Sequence, residues 1–127
     1  MKIQPINQVE QIPVDMPGAE NCHVRQLVGK NVDAPNFAMR EFEVAPGGFT
    51  PHHSHPYEHE IYILAGQGIA VEGENEHAIK SGDVIYVAPD DVHQFKNTGD
   101  QPLKFLCLIP NSAMNLPVTL APECGTE

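Results

Sequence analysis

The sequence predicts an all-β domain of the sandwich or barrel kind. Three observations predict it. Turn signals rich in Gly, Pro, Asn and Asp recur at about eight- to twelve-residue spacing, the runs between them alternate or are wholly apolar at strand length, and no window shows a helical period. Twelve prolines and ten glycines in 127 residues suit a chain that reverses often and builds no long helix.

The elements follow in order. Residues 1–20 scatter Pro5, Pro13, Pro17 and Gly18 among short apolar pieces, which predicts an extended arm lying along a sheet edge or a partner subunit. Cys22–Val28 reads as a first strand, closed by turn chemistry at Gly29, Asn31, Asp33 and Pro35. His23, alone within it, is read as a surface or hydrogen-bonded residue rather than a ligand. Phe37–Val44, FAMREFEV, alternates as a half-buried strand, and APGG at Ala45–Gly48 is expected to turn the chain.

Beyond the histidine-rich stretch, Glu58–Leu64 is a strand, AGQG at Ala65–Gly68 a tight turn, and Ile69–Glu72 the next strand. GENE at Gly73–Glu76 turns into HAIK, with His77 exposed beside the hairpin. Ser81–Asp83 leads into Val84–Val87, a loop follows, and Val92–Lys96 carries His93. After the turn at Asn97–Pro102 comes Leu103–Ile109, LKFLCLI, an apolar run of buried-strand length. The expected organisation is an arm over 1–20, one barrel over 21–110 and a Pro- and polar-rich tail over 111–127.

Length and composition bound the function. A chain of 127 residues is one domain, large enough to bury roughly two thirds of the surface its unfolded form exposes. Cys22, Cys107 and Cys124 are odd in number and widely spaced, so neither a disulfide framework nor a thiolate metal knot is expected. The first twenty residues hold no apolar signal core, and no run reaches membrane-spanning length. A cytoplasmic location follows as the expectation. Seventeen acidic against seven basic residues give a net charge of -10, which repels phosphate backbones and anionic lipid, so neither nucleic acid nor membrane is an expected partner. The unpaired arm and open sheet edges predict a homodimer.

Chemistry concentrates in Gly47–Gly66, GGFTPHHSHPYEHEIYILAG, which carries His52, His53, His55 and His59, four of the chain's seven histidines. Imidazole is the commonest protein ligand for transition metals. Read as a strand, the stretch puts His53, His55 and His59 on one face with Tyr57, while His52, Glu58 and Glu60 point away. His93, much later, is the fourth candidate ligand. The H-E-x-x-H spacing of zinc proteases is absent, since no histidine follows His59-Glu60 at that distance.

These residues resemble the two motifs of the cupins, small double-stranded β-helix barrels of the jelly-roll type. Gly47, His53, His55, His59 and Gly66 stand at the spacings of the first motif; Gly82, His93 and Asn97 stand at those of the second. His59 occupies the position of a carboxylate ligand, and Ala88 and Asp90 replace a proline and a glycine of the second motif. Glu60 leaves one residue too few before Gly66 and has the wrong strand parity to replace His59. The wording HSHPYEHE at His53–Glu60 and FLCLIP at Phe105–Pro110 is similar to that of small single-domain cupins that bind manganese through four histidines.

The resemblance implies one divalent transition metal per chain, Mn or Fe, held by His53, His55, His59 and His93. Donor type alone favours Zn, Ni, Cu or Fe over Mn. Four protein ligands on a six-coordinate ion leave two positions open, the geometry of a catalytic site. The implied function is a metal-dependent oxidoreductase, a dioxygenase or peroxide-using oxygenase acting on a small organic molecule. The alternative is a non-catalytic cupin that binds an organic acid or sugar through a metal anchor; a third is a structural metal in a protein that acts through oligomer contacts. Tyr57, Phe95, Phe105 and Cys107 are candidate pocket-lining residues, with Cys107 read first as a small buried hydrophobe.

Overall fold

The structure is a computed structural model, and it describes residues 1–115 and 117–121. Leu116 and residues 122–127 of the expected tail, Cys124 among them, lie outside the described residues. Eleven strands are found among those described: β1 Gln11–Pro13, β2 Glu20–Val28, β3 Phe37–Phe49, β4 His53–Ser54, β5 His59–Ala65, β6 Gln67–Glu72, β7 Asn75–Lys80, β8 Val84–Val87, β9 His93–Lys96, β10 Leu103–Pro110 and β11 Thr119–Leu120. The other regular pieces are three short 3-10 turns, at Ile6–Gln8, Lys30–Val32 and Asn111–Asn115. No described helix is long and apolar enough to cross a membrane.

Antiparallel pairing curls the strands into a jelly-roll, the double-stranded β-helix. One wall runs β1-β2-β3-β10-β5-β8, the other β7-β6-β9, with β4 and β11 continuing from β9. Alternation decides what each wall buries. Along β10 the odd residues Leu103, Phe105, Cys107 and Ile109 are buried while the even ones are only partly so. Register sets Phe105 between Phe42 and Ile63, and Cys107 between Arg40 and Ile61. Cys107 therefore faces inward, a choice the apolar run LKFLCLI leaves open. The core gathers these residues with Val44, Ile79, Val87 and Phe95.

The expected turn at Ala45–Gly48 is not a reversal, because β3 runs on through it to Phe49. Pro46 has no N–H to leave unpaired and Gly47 takes φ +81°, so the strand bends without turning back. Its hydrogen bonds pass to a new partner: Gly47 N–H donates to Asn97 O at 3.1 Å, and Asn97 N–H to Gly48 O at 3.0 Å. One strand thus belongs to both walls. AGQG shrinks similarly, since Gly66 alone separates β5 from β6. Gly66 has φ +85°, and a Cβ there would lie 2.4 Å from the Pro102 carbonyl oxygen.

Both ends of the chain join the sheet. β1 pairs with β2, register Ile12↔Val24, so part of the arm lies along the first wall. In the tail, β11 pairs with β4, Leu120 opposite His53, and Ala121 N–H donates to His52 O at 2.8 Å. The sequence hides this last strand because two residues are too few to carry a period.

Candidate metal centre

His53, His55, His59 and His93 come together in space, and the ligand atoms they offer all lie within 4.8 Å of one another. They do not share one strand face. The ladder breaks after Ser54, so that His53 lies on β4, His55 in the following loop and His59 at the start of β5. Pro56, without an N–H, helps end the pairing. His93 begins β9 directly opposite His53. Asp90 ties the two segments together: its N–H donates to His55 O at 2.8 Å, and it holds φ +69°. That is a left-handed conformation Asp tolerates better than most residues, which explains how Asp replaces a motif glycine.

Asn97, at the end of the second motif, braces the same corner. Buried, it donates from Nδ2 to Val44 O and Gln101 O, both at 2.8 Å, and accepts at Oδ1 from Gly99 N–H at 2.9 Å. His52 is buried but stands outside the cluster. Glu60 points outward on β5, exposed, and a hydrogen bond from Glu58 raises its carboxyl to about 7.

The other ring nitrogen of three histidines is fixed by its neighbours. His55 Nδ1 lies 2.8 Å from Tyr57 O, and His93 Nδ1 2.8 Å from Asp91 O. A carbonyl only accepts, so each Nδ1 carries the proton and each Nε2 presents a lone pair. His59 Nδ1 lies 2.9 Å from Cys107 Sγ, and that sulfur accepts from Arg40 Nη2 at 3.3 Å. Tyr57 stacks on His55, ring centroids 3.8 Å apart and planes 7° off parallel, fixing the imidazole plane.

The donor set fits a metal ion. Two nitrogens in trans positions on one ion are about 4.2 Å apart and two in cis about 3 Å, from a metal–nitrogen bond of about 2.1 Å. The cluster's span of 4.8 Å needs only a small closing movement, and His55 Nε2 to His59 Nε2, at 2.8 Å, is already a cis edge. His93 Nε2 and His53 Nδ1 are buried with no hydrogen-bond partner among the described residues, a costly arrangement that coordination would relieve. Burial lowers all four imidazoles, His53 to about 3 and His93 to about 4, with neighbouring histidines and Arg40 adding to the effect at His53. The ligands are therefore neutral at physiological pH, the form a metal needs.

The cluster opens into a cavity of about 100 Å³. Tyr57, Phe95, Phe105 and Cys107 line it, as do Val14, Met16, Arg40, Phe42, Thr50 and Ile61. Sequence reasoning passed over Arg40, although a signal was present: Arg40 shares the parity of Ala38, Phe42 and Val44 in FAMREFEV, an inward-facing set. Val14 and Met16 gave no such signal, since their place depends on how the arm folds back.

Residues 40–109 match the family model described as "Cupin domain". Among solved structures, the polyketide cyclase RemF from Streptomyces resistomycificus superposes with a TM-score of 0.89 at 31% identity, covering 97% of this chain and 87% of that one. Two curated relatives are a 1-methylthio-D-xylulose 5-phosphate methylsulfurylase from Rhodospirillum rubrum and an oxalate-binding protein from Thermotoga maritima. The first is 35% identical over 56% of this chain and 46% of its own length; the second is 37% identical over 53% and 56%. The matches thus span about half the length of these two relatives.

Proposed function

The chain belongs to the cupin family, and on that premise we propose that it is a metal-dependent enzyme acting on a small organic molecule. His53, His55, His59 and His93 are its metal ligands, and one divalent transition ion, Mn or Fe, is its cofactor. The observation that carries this reading is the placement of four neutral, converging imidazoles at the wall of a cavity with an apolar lining. A purely structural ion has its coordination closed by protein, whereas this cluster faces space where a ligand fits.

When bound, the ion supplies Lewis acidity and, as Mn or Fe, one-electron chemistry. The chain supplies the rest. Tyr57 and Cys107 set the planes and tautomers of His55 and His59, the aromatic walls exclude water, and Arg40 provides a fixed positive charge beside the cluster. No carboxylate of the described residues lines the cavity, so proton abstraction by a ligating Glu is not part of this reading.

The reaction class we favour is oxidoreductase, a dioxygenase or peroxide-using oxygenase. The likeness to the polyketide cyclase RemF over nearly the whole chain supports a second class, ring closure. The oxalate-binding relative supports binding without turnover. Elemental analysis of untagged protein, wild type beside His59→Ala, tests the common premise. Stoichiometric Mn or Fe lost in the variant supports it, and absence of metal from both proteins overturns it. Oxygen or peroxide consumption with a substrate panel then separates oxygenase from cyclase, and lack of any turnover leaves the binding role.

The protein is further proposed to act as a cytoplasmic homodimer. The edge strand β8 supports this by exposing Val84 and Tyr86. Light scattering before and after deletion of residues 1–20 tests whether the arm contributes.

A further inference from the structure

We propose that the molecule taken up by this cavity is a small organic oxyanion with an apolar body, and that Arg40 receives its anionic oxygen. The proposal rests on the reading of the four histidines as a metal centre and names the ligand class of that same site.

Charge balance is the first argument. Among the described residues, Arg40 is the only Lys, Arg, Asp or Glu lining the cavity. The ion pairs found for Arg and Lys among the described residues are Arg25–Glu41, Lys80–Asp83 and Lys104–Glu43, none of which uses Arg40. An imidazole that ligates a metal does so in its neutral form and adds no charge. A divalent ion beside Arg40 would therefore place three positive charges in a partly enclosed space that no carboxylate of the described residues lines, Asp90 and Asp91 acting on His55 and His93 only from outside it. Such charge is costly unless paired, so the missing negative charge belongs to the ligand.

Donor geometry is the second. Arg40 Nη2 donates to Cys107 Sγ, and the guanidinium carbon sits 4.8 Å from the Phe42 ring centroid. Its Nε is buried with no partner among the described residues. These contacts fix the planar fork against Phe42 and leave donors unused, and the fork matches a carboxylate or enolate oxygen better than a neutral carbonyl.

The walls give the third. Val14, Met16, Phe42, Ile61, Phe95 and Phe105 favour a ligand whose remaining atoms are hydrocarbon, which argues against a sugar.

Benzoate and its neutral isostere benzamide are the probes. Calorimetric titration of manganese-loaded wild type, Arg40→Met and Arg40→Lys, with metal content measured on each sample, tests the proposal. Wild type is expected to prefer benzoate by at least about tenfold, the usual worth of a charge-assisted hydrogen bond. Arg40→Met should lose about tenfold of that preference, keeping only what the ion itself supplies, and Arg40→Lys should lose less, all three holding equal metal. A preference for benzoate undiminished in Arg40→Met, or no preference in wild type, overturns the proposal. If Arg40→Met fails to fold, full preference in Arg40→Lys with added neutral salt up to about 0.5 M overturns it, because a point charge lacks the fork and its attraction is screened. Wild type that takes up no metal overturns the metal reading instead; the same titration on that metal-free protein then decides for or against Arg40.

Discussion

Cys107 Sγ lies 2.9 Å from His59 Nδ1, so one of the four converging imidazoles is oriented by a thiol where two others lean on backbone carbonyls. Cys107↔Arg40 register on β10 and β3 brings the guanidinium to the same sulfur. Cys107→Ala removes the partner of both His59 Nδ1 and Arg40 Nη2. It is expected to weaken metal binding by about ten- to a hundredfold, the usual effect of removing a group behind a ligand. Cys107→Ser should lose less, since its hydroxyl still accepts. Competition with a chelator measures both, and equal affinity in all three proteins would show that the sulfur does not position His59.

Burial pushes the Cys22 thiol up to about 12 and raises that of Cys107, with Arg40 opposing the shift at Cys107. Both thiols are therefore protonated and poorly nucleophilic near neutral pH. Peroxide should leave both unmodified in the metal-free protein and, with iron loaded, oxidise Cys107 well ahead of Cys22. Peptide mass spectrometry reads the difference. Equal modification of the two cysteines would count against a redox-active ion beside Cys107.

The metal-free protein should lose stability in acid. His93 is held at about 4 against an ordinary value of 6.5, and His59 is lowered as well, in both cases chiefly by burial. Below pH 6.5 the unfolded chain takes up protons at these sites while the folded chain does not. Stability is complete above pH 6.5 and falls as the pH drops towards about 4, by up to about 1.4 kcal/mol per pH unit per histidine. Urea melts at about pH 7.5 and about pH 5 test this. A bound ion should steepen the fall, and an unchanged midpoint across that range would mean the imidazoles are not buried as described.

Two backbone positions should respond in opposite ways. Gly66→Ala sets a Cβ against the Pro102 carbonyl at a positive φ and should destabilise the fold by more than about 1 kcal/mol. Asp90→Gly should be neutral or slightly stabilising, since the backbone there is already left-handed. Thermal melts of the two variants, each beside wild type, provide the check.

Much of the site was legible because its residues advertise themselves by type and spacing. Histidines at fixed intervals from Gly47, Gly66, Gly82 and Asn97 identify a cluster before any strand is placed. Strand limits at Val84–Val87 and close to Leu103–Ile109 followed from alternation and flanking turns. What failed to show depends on tertiary partners. Ala45–Gly48 looks like a reversal because Pro and Gly permit one, and only the distant Asn97, just past β9, decides that the chain runs straight on. The shared strand face of His53, His55 and His59 failed for a related reason: parity holds only while the ladder is unbroken. Arg40 was visible as a charged residue at a core parity, a local conflict of the kind that marks function.

Val14 and Met16 reach the cavity from just beyond β1, Val14 N–H donating to Cys22 O at 2.9 Å. The histidine cluster and these two lining residues of the cavity thus come from separate segments of the chain. Drift in a dozen residues near the start of the chain can change what the protein recognises while the histidines, and the walls that carry them, stay as they are.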